Sequence, residues 1–333
     1  MRNSEMSDNP IVIISKQLIQ DLQISPAECI RWAEEGFRLK DAADMPAKMG
    51  VVPQGNDFIT TMPCLLPPDG EGRRFFGVKI VSRISGQTPA LCSTVYLYDA
   101  ARGQLLAVMD GDWITSMRTG AVAALAARLL QRTDADTYSL MGLGNVARAV
   151  AHCLIDDNRD RPIHFRLLRY KHQAETFAEE MLSSCLNCKK QDDDFAQLSE
   201  DRLPKHRDIS FEIVDDAQTF VREAQVLFSC VTVATQPLFP HDDWFSPGLT
   251  LIPVHTRGFQ NCDLFFDKVF GDDTSQISRF QYFSRFRQYD EIHHVLQGKN
   301  EGRSSNQERI LSYNYGLGLH DIYFAAQIYR RIP

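Results

Sequence analysis

The spacing of apolar residues changes character along the chain. After a short apolar run at residues 11–14, residues 26–39 repeat apolar positions every three or four places. This is the period of an amphipathic helix, and Ser25 is placed to cap its start. Between residues 49 and 109 the period drops to two. Runs at 58–62, 75–81 and 93–98, parted by Pro- and Gly-containing turns, read as strands of an antiparallel sheet. A helix is expected over 114–130, where Ala121, Ala123, Ala124, Ala126 and Ala127 leave room for a neighbouring element to approach closely. Beyond it, apolar runs at 138–141, 164–168, 209–214, 226–231 and 249–254 alternate with helical stretches at 146–155 and 174–183. That alternation predicts an α/β architecture with a doubly wound parallel sheet of the Rossmann type. The polar stretch 184–208 reads as a surface insertion. A final strand at 309–314 and a helix at 316–330 are expected to return to the first domain. The expected division is therefore 1–130 with 309–333, a discontinuous β-rich domain, and 131–308.

Composition narrows the chemistry. A chain of 333 residues is long enough for two domains, and 44% hydrophobic with 24% charged residues is a globular balance. No apolar run approaches the roughly 20 residues that span a bilayer, and the first residues carry no secretory or transit pattern. A membrane partner is therefore not expected, and the cytoplasm is the expected compartment. With a formal net charge of −7 and scattered Lys and Arg, a nucleic-acid partner is not expected either, which leaves small-molecule chemistry. The eight cysteines lack the density of a disulfide scaffold and read as reduced thiols. Cys185-Leu-Asn-Cys188 has the spacing of a zinc knuckle but no second pair to complete four ligands, so no metal is expected.

The most informative loop is Gly142-Leu-Gly144-Asn145-Val146-Ala147, a GxGxxA between an apolar strand and a helix. Gly142 permits a tight turn, Gly144 lets backbone approach a pyrophosphate, and Ala147 keeps the helix close to the sheet. The helix N-terminus then faces the negative charge. After the next strand stand Arg169 and Lys171, where an acidic residue would hold a free 2′-hydroxyl. Two cations suit a 2′-phosphate, so NADPH is the expected cofactor, with NADH as the alternative.

Several segments resemble the ornithine cyclodeaminase and mu-crystallin family. Residues 114–121, Ile-Thr-Ser-Met-Arg118-Thr119-Gly-Ala, resemble its iTxxRTxA signature. Met62-Pro63, Gly77-Val-Lys79, Leu97-Tyr-Asp99, Trp244 with Pro247-Gly248, and Gly316 to Asp321 resemble further segments in the same order. The resemblance covers about residues 45–330. It implies a substrate-binding, dimerising β-rich domain, a Rossmann domain, and a small amino- or imino-acid substrate. It implies that Arg118 and Lys79 hold the substrate α-carboxylate, with Lys48 placed where the family often has Arg. Arg offers a planar fork matched to a carboxylate, and a desolvated Lys can exchange protons. Thr119 and Val231 complete the expected cofactor-binding set.

One departure bears more on the activity than the matches do. Cyclodeaminases of this family carry a GxD after the last Rossmann strand, whose Asp handles the substrate amino group. Here the run is His255-Thr-Arg257, so a cation stands where the anion should be, and it cannot accept a proton from an ammonium. His255 and Arg257 suggest instead a proton donor and a clamp for a second carboxylate, the alternative being a loop cap or ion pair with Asp263, Asp267 or Asp272. The leading expectation is hydride transfer between NAD(P)H and a C=N or amino carbon beside a carboxylate. It covers imine or ketimine reduction, amino-acid dehydrogenation and opine-like coupling. A cyclodeaminase recycling its NAD and a dinucleotide-binding protein without catalysis are the alternatives.

Overall fold

The computed structural model describes residues 10–193 and 209–332, apart from Val233, Thr235 and Thr256; of 185–193 it gives the backbone only. The chain separates into two compact units. One comprises Met1–Ser25, Glu35–Arg118 and Leu317–Pro333, the other Pro26–Glu34 and Thr119–Gly316. The helices α2 (Pro26–Arg38) and α3 (Asp112–Leu130) each run from one unit into the other.

The first unit holds a six-stranded sheet in the order β1 (Val12–Ile14), β6 (Gln104–Asp110), β5 (Leu91–Asp99), β4 (Phe75–Arg83), β3 (Phe58–Leu65) and β2 (Met49–Val51). β2 to β6 are antiparallel, as their alternation requires, and β1 adds to the edge in parallel with β6. The short helix α1 (Lys16–Asp21) is capped by the Ser15 hydroxyl. The last helix, with its start at Gly318 and its end at Tyr329, packs on β3, β4 and β5. Gly77 makes that approach possible: a Cβ there would stand 2.6 Å from Ile322 Cδ1 and 2.8 Å from the Tyr96 carbonyl oxygen.

The second unit holds an eight-stranded, wholly parallel sheet. Its order is β13 (Tyr289–Glu291), β12 (Lys268–Gly271), β14 (Ile310–Tyr313), β11 (Thr250–Pro253), β10 (Val226–Ser229), β7 (Thr137–Met141), β8 (Ile163–Leu168) and β9 (Ile209–Val214). The chain steps outward from β7 to β9 and then returns to β7's other side, so the strand order reverses there. Its helices are α4 (Asn145–Asp157), α5 (Gln173–Asp193), α6 (Ala217–Arg222), α7 (Thr274–Ile277) and α8 (Ile292–Leu296). The terminal helix of the first unit is then α9.

Three expectations are corrected. Residues 26–34, expected in the first domain, belong to the second unit. Residues 309–316 were assigned to the first domain, but β14 pairs with both β11 and β12, and only α9 returns to the first unit. The division within α3 falls at Arg118/Thr119 rather than at its end. β12 and β13 went unread because they are short, and β12, like β14, is buried on both faces, so neither alternates. The side chains of Cys185 and Cys188, and residues 194–208 of the polar stretch, lie outside the described residues. No helix among the described residues is long and apolar enough to cross a membrane.

Candidate functional site

The first unit encloses a charged cluster. In β4 the residues Phe75, Gly77, Lys79 and Val81 alternate inward, so Lys79 takes a core position. Its cross-strand neighbours are Met62 and Val95, both buried and apolar. Arg118 reaches the cluster from α3. The start of that helix is tied to β5: the Gly111 amide donates to the Ser93 carbonyl (2.9 Å), the Ser93 amide donates to Asp112 (2.6 Å), and the Ser93 and Thr115 hydroxyls lie 2.9 Å apart. The third member is Asp321 of α9. Lys79 Nζ donates to its Oδ1 at 2.7 Å and Arg118 Nε donates to the same oxygen at 2.8 Å. Lys79, Arg118 and Asp321 are 1%, 4% and 0% exposed, so water screens none of these charges.

Counting charge decides what this cluster lacks. Two cations share one carboxylate, and Arg118 Nη1 and Asp321 Oδ2 are both buried without a hydrogen-bond partner. Burial first, then the Arg118 charge, pull the Lys79 ammonium down to about 7, against the opposing pull of Asp321; Lys48 lowers it further. Burial alone would raise Asp321, but Arg118 and Lys79 outweigh it and hold the carboxyl below its ordinary value. Lys48 itself is half-buried. Lys79 can therefore hold or release a proton near neutral pH, and while it is protonated the cluster carries one buried positive charge in excess, which an added anion or the loss of that proton balances.

The family resemblance places Asp321 in a helix motif and implies no role for it. The legible signal was a carboxylate in a helix whose other inward residues, such as Leu319, Ile322 and Phe324, are apolar.

The second unit carries the glycine loop. Gly142 follows β7 with φ +74, and a Cβ there would meet the Val231 amide nitrogen at 2.5 Å and the Cys230 carbonyl carbon at 2.6 Å. Gly144 is the N-cap of α4 and offers no side-chain cap, and nothing lies within 4 Å of where its Cβ would be. The first amides of a 13-residue helix thus open onto free space, which fits a pyrophosphate. Asn145 is exposed, Val146 half-buried and Ala147 buried, and Thr119 is buried. After β8, Arg169 pairs with Glu175 and Asp215, and Lys171 lies over the Tyr170 ring, 5.4 Å from its centroid. His255 and Arg257 leave the end of β11. Ser229 Oγ lies 2.7 Å from His255 Nε2, and burial drives this imidazole down to about 4. A proton donor near neutral pH is not what such a ring provides. Arg257 is exposed, and its guanidinium pairs with no carboxylate among the described residues. Asp263 accepts from Tyr313, Asp267 pairs with Arg287, and Asp272 accepts from Asn314. Among the described residues no three His, Cys, Asp or Glu side chains gather as a metal ion would require.

One unit thus holds a parallel sheet with a dinucleotide-type glycine turn, and the other holds a sheet bearing a buried carboxylate-and-cation cluster. The sequence matches the ornithine cyclodeaminase/mu-crystallin family over residues 11–187 and 168–333, and the chain belongs to that family. A Delta(1)-pyrroline-2-carboxylate reductase of Bacillus cereus is 24% identical over 300 residues, covering 85% of this chain and 84% of the relative. The fold matches the Thermococcus litoralis Delta(1)-pyrroline-2-carboxylate reductase in complex with NADH and L-proline with a TM-score of 0.77. That match has 22% identity and covers 96% of this chain and 97% of the other. An archaeal alanine dehydrogenase dimer with bound NAD matches with a TM-score of 0.71 and 22% identity, over 96% and 95% of the two chains.

Proposed function

We propose that this chain transfers a hydride between a nicotinamide dinucleotide and a carbon that bears both a carboxylate and a C=N or amino nitrogen, reducing an α-imino acid or running the reverse. The observation that carries the reading is the charge imbalance around Asp321. A substrate α-carboxylate would give the buried Arg118 Nη1 its missing acceptor and balance the second cation. Lys48 would add a third cation to the same carboxylate. Reduction adds a hydride to carbon and a proton to nitrogen. Lys79, poised near 7, would supply that proton, and in the reverse direction would take it back.

The bound dinucleotide would supply or accept the hydride. Gly142, Gly144, Asn145, Val146 and Ala147 would hold its pyrophosphate, with Thr119 and Val231 beside it. NADPH is the preferred form in this reading: Lys171 pairs with no carboxylate among the described residues, although Arg169 would have to exchange Glu175 and Asp215 for a 2′-phosphate. Arg257, exposed and without a carboxylate partner among the described residues, would read an anionic arm of the substrate. A second copy of the chain is expected as partner, since Ile13 of β1 and Met49, Val51 and Val52 at β2 expose large apolar side chains at both edges of the first sheet.

Nicotinamide absorbance with NADPH or NADH, cyclic imino acids, and 2-oxo acids plus ammonia or amines tests the proposal. Net oxidation that is lost in Arg118→Met supports it. Ammonia release from ornithine without net change in the cofactor would replace it with the cyclodeaminase reading, and no turnover in either assay would leave a dinucleotide-binding protein.

A further inference from the structure

The proposed reaction gives His255 no proton to move, yet the ring is built into the second unit with care. Ser229 is the last residue of β10 and lies opposite Pro253 of β11, and the Val254 amide donates to the Ser229 carbonyl at 3.0 Å. Ser229 and His255 therefore leave the carboxyl ends of two adjacent parallel strands. On the other side of β10, Ser229 lies opposite Met141, the residue before the glycine turn. Gly142 in turn lies against Cys230 and Val231, which follow Ser229 directly.

In a doubly wound sheet a dinucleotide lies across the carboxyl ends where the strand order reverses, with one half on either side of the first strand. The β8 side offers Arg169 and Lys171. The β10 and β11 side offers Ser229 and His255: Nε2 meets Ser229, and Nδ1 makes no well-formed hydrogen bond, the Arg257 backbone lying near enough only to oppose part of the effect of burial. Burial keeps the ring neutral, so its two nitrogens are one donor and one acceptor, and the Ser229 hydroxyl can match either. Phe259, 6.0 Å away between ring centroids, limits where the imidazole can turn.

We propose that His255, oriented by Ser229, hydrogen-bonds the nicotinamide half of the bound dinucleotide through Nδ1, at its carboxamide or at the adjoining ribose hydroxyl. Ser229 is then a positioning residue. The inference rests on the dinucleotide reading above and assigns each half of that molecule to its own side of β7.

The test is equilibrium binding of NADH, ADP-ribose and ADP to the whole chain, to His255→Phe, which keeps a ring among aromatic neighbours, and to Ser229→Ala. Loss of one hydrogen bond corresponds to about ten-fold weaker binding. His255→Phe should weaken NADH about ten-fold and leave ADP unchanged, and Ser229→Ala should show the same pattern with a smaller loss. ADP-ribose weakened alongside NADH places the contact at the ribose hydroxyl; ADP-ribose unchanged places it at the carboxamide. Unchanged NADH binding in both variants, or equal weakening of NADH and ADP, overturns the inference while the dinucleotide reading stands. Failure of the unsubstituted chain to bind NADPH, NADH or ADP overturns both.

Discussion

The buried cluster makes opposite predictions for its members, and the contrast can be worked from the structure. Lys79 falls from an ordinary 10.5 to about 7. At about 1.36 kcal/mol per pH unit, a charged Lys79 costs the fold about 5 kcal/mol at most, and about 4 kcal/mol at pH 7, where half of it is already neutral. Lys79→Met removes that cost and leaves Arg118 and Asp321 as a balanced pair. That net cost already includes the attraction and the hydrogen bond of Asp321. The variant should therefore be more stable by up to about 4 kcal/mol at pH 7 while losing turnover. Asp321→Asn instead leaves two buried cations without an anion and should destabilise by about 3–5 kcal/mol, relieved in part as Lys79 gives up its proton. The pH dependence fixes the cause. Between about 7 and 10.5 the unfolded lysine holds a proton that the folded one has lost, so the unsubstituted chain gains stability as pH rises and Lys79→Met does not. The gap between them in urea unfolding should close toward pH 10. A Lys79→Met variant less stable by more than about 3 kcal/mol, or a gap that ignores pH, would refute the reasoning.

Four further outcomes follow from the structure. Binding of a carboxylate substrate or product beside Lys79 raises its proton affinity, so above pH 7 binding should take up a proton; calorimetry in buffers of different ionisation enthalpy measures this, and zero uptake would count against the carboxylate clamp. Gly144→Val adds atoms only to open space, so it should melt like the parent but lose dinucleotide binding. Gly142→Ala forces a Cβ onto the backbone of Cys230 and Val231 at a positive φ and should lower stability by at least about 1–3 kcal/mol. Asp263 is raised to about 7 by burial among aromatic rings, although its bond from Tyr313 pulls the other way. The folded carboxyl thus holds a proton that the unfolded one has lost between about 4 and 7, and stability should fall as pH rises through that window. Asp263→Asn should abolish the slope in urea midpoints measured across it.

Sequence alone determined the features that a local rule can reach. The period-two runs gave the antiparallel sheet, because one face of each strand must be buried. The glycine loop was legible because its geometry needs no distant partner: Gly142 takes φ +74 and Ala147 is buried as expected. Lys79 was suspect because it interrupts an apolar run at an inward position. Tertiary structure decided the rest. Strands buried on both faces, such as β12 and β14, carry no period and the three-residue β13 is too short to show one, so β12, β13 and the membership of β14 appear only through pairing. Asp321 lies 242 residues from Lys79 and 203 from Arg118, and no local pattern reports a contact across such separations. His255 shows the same limit. Its type suggested an acid near neutral pH, but the proton affinity of a side chain belongs to its surroundings, and burial against β10 and β11 makes it a neutral ring with one nitrogen still to be matched.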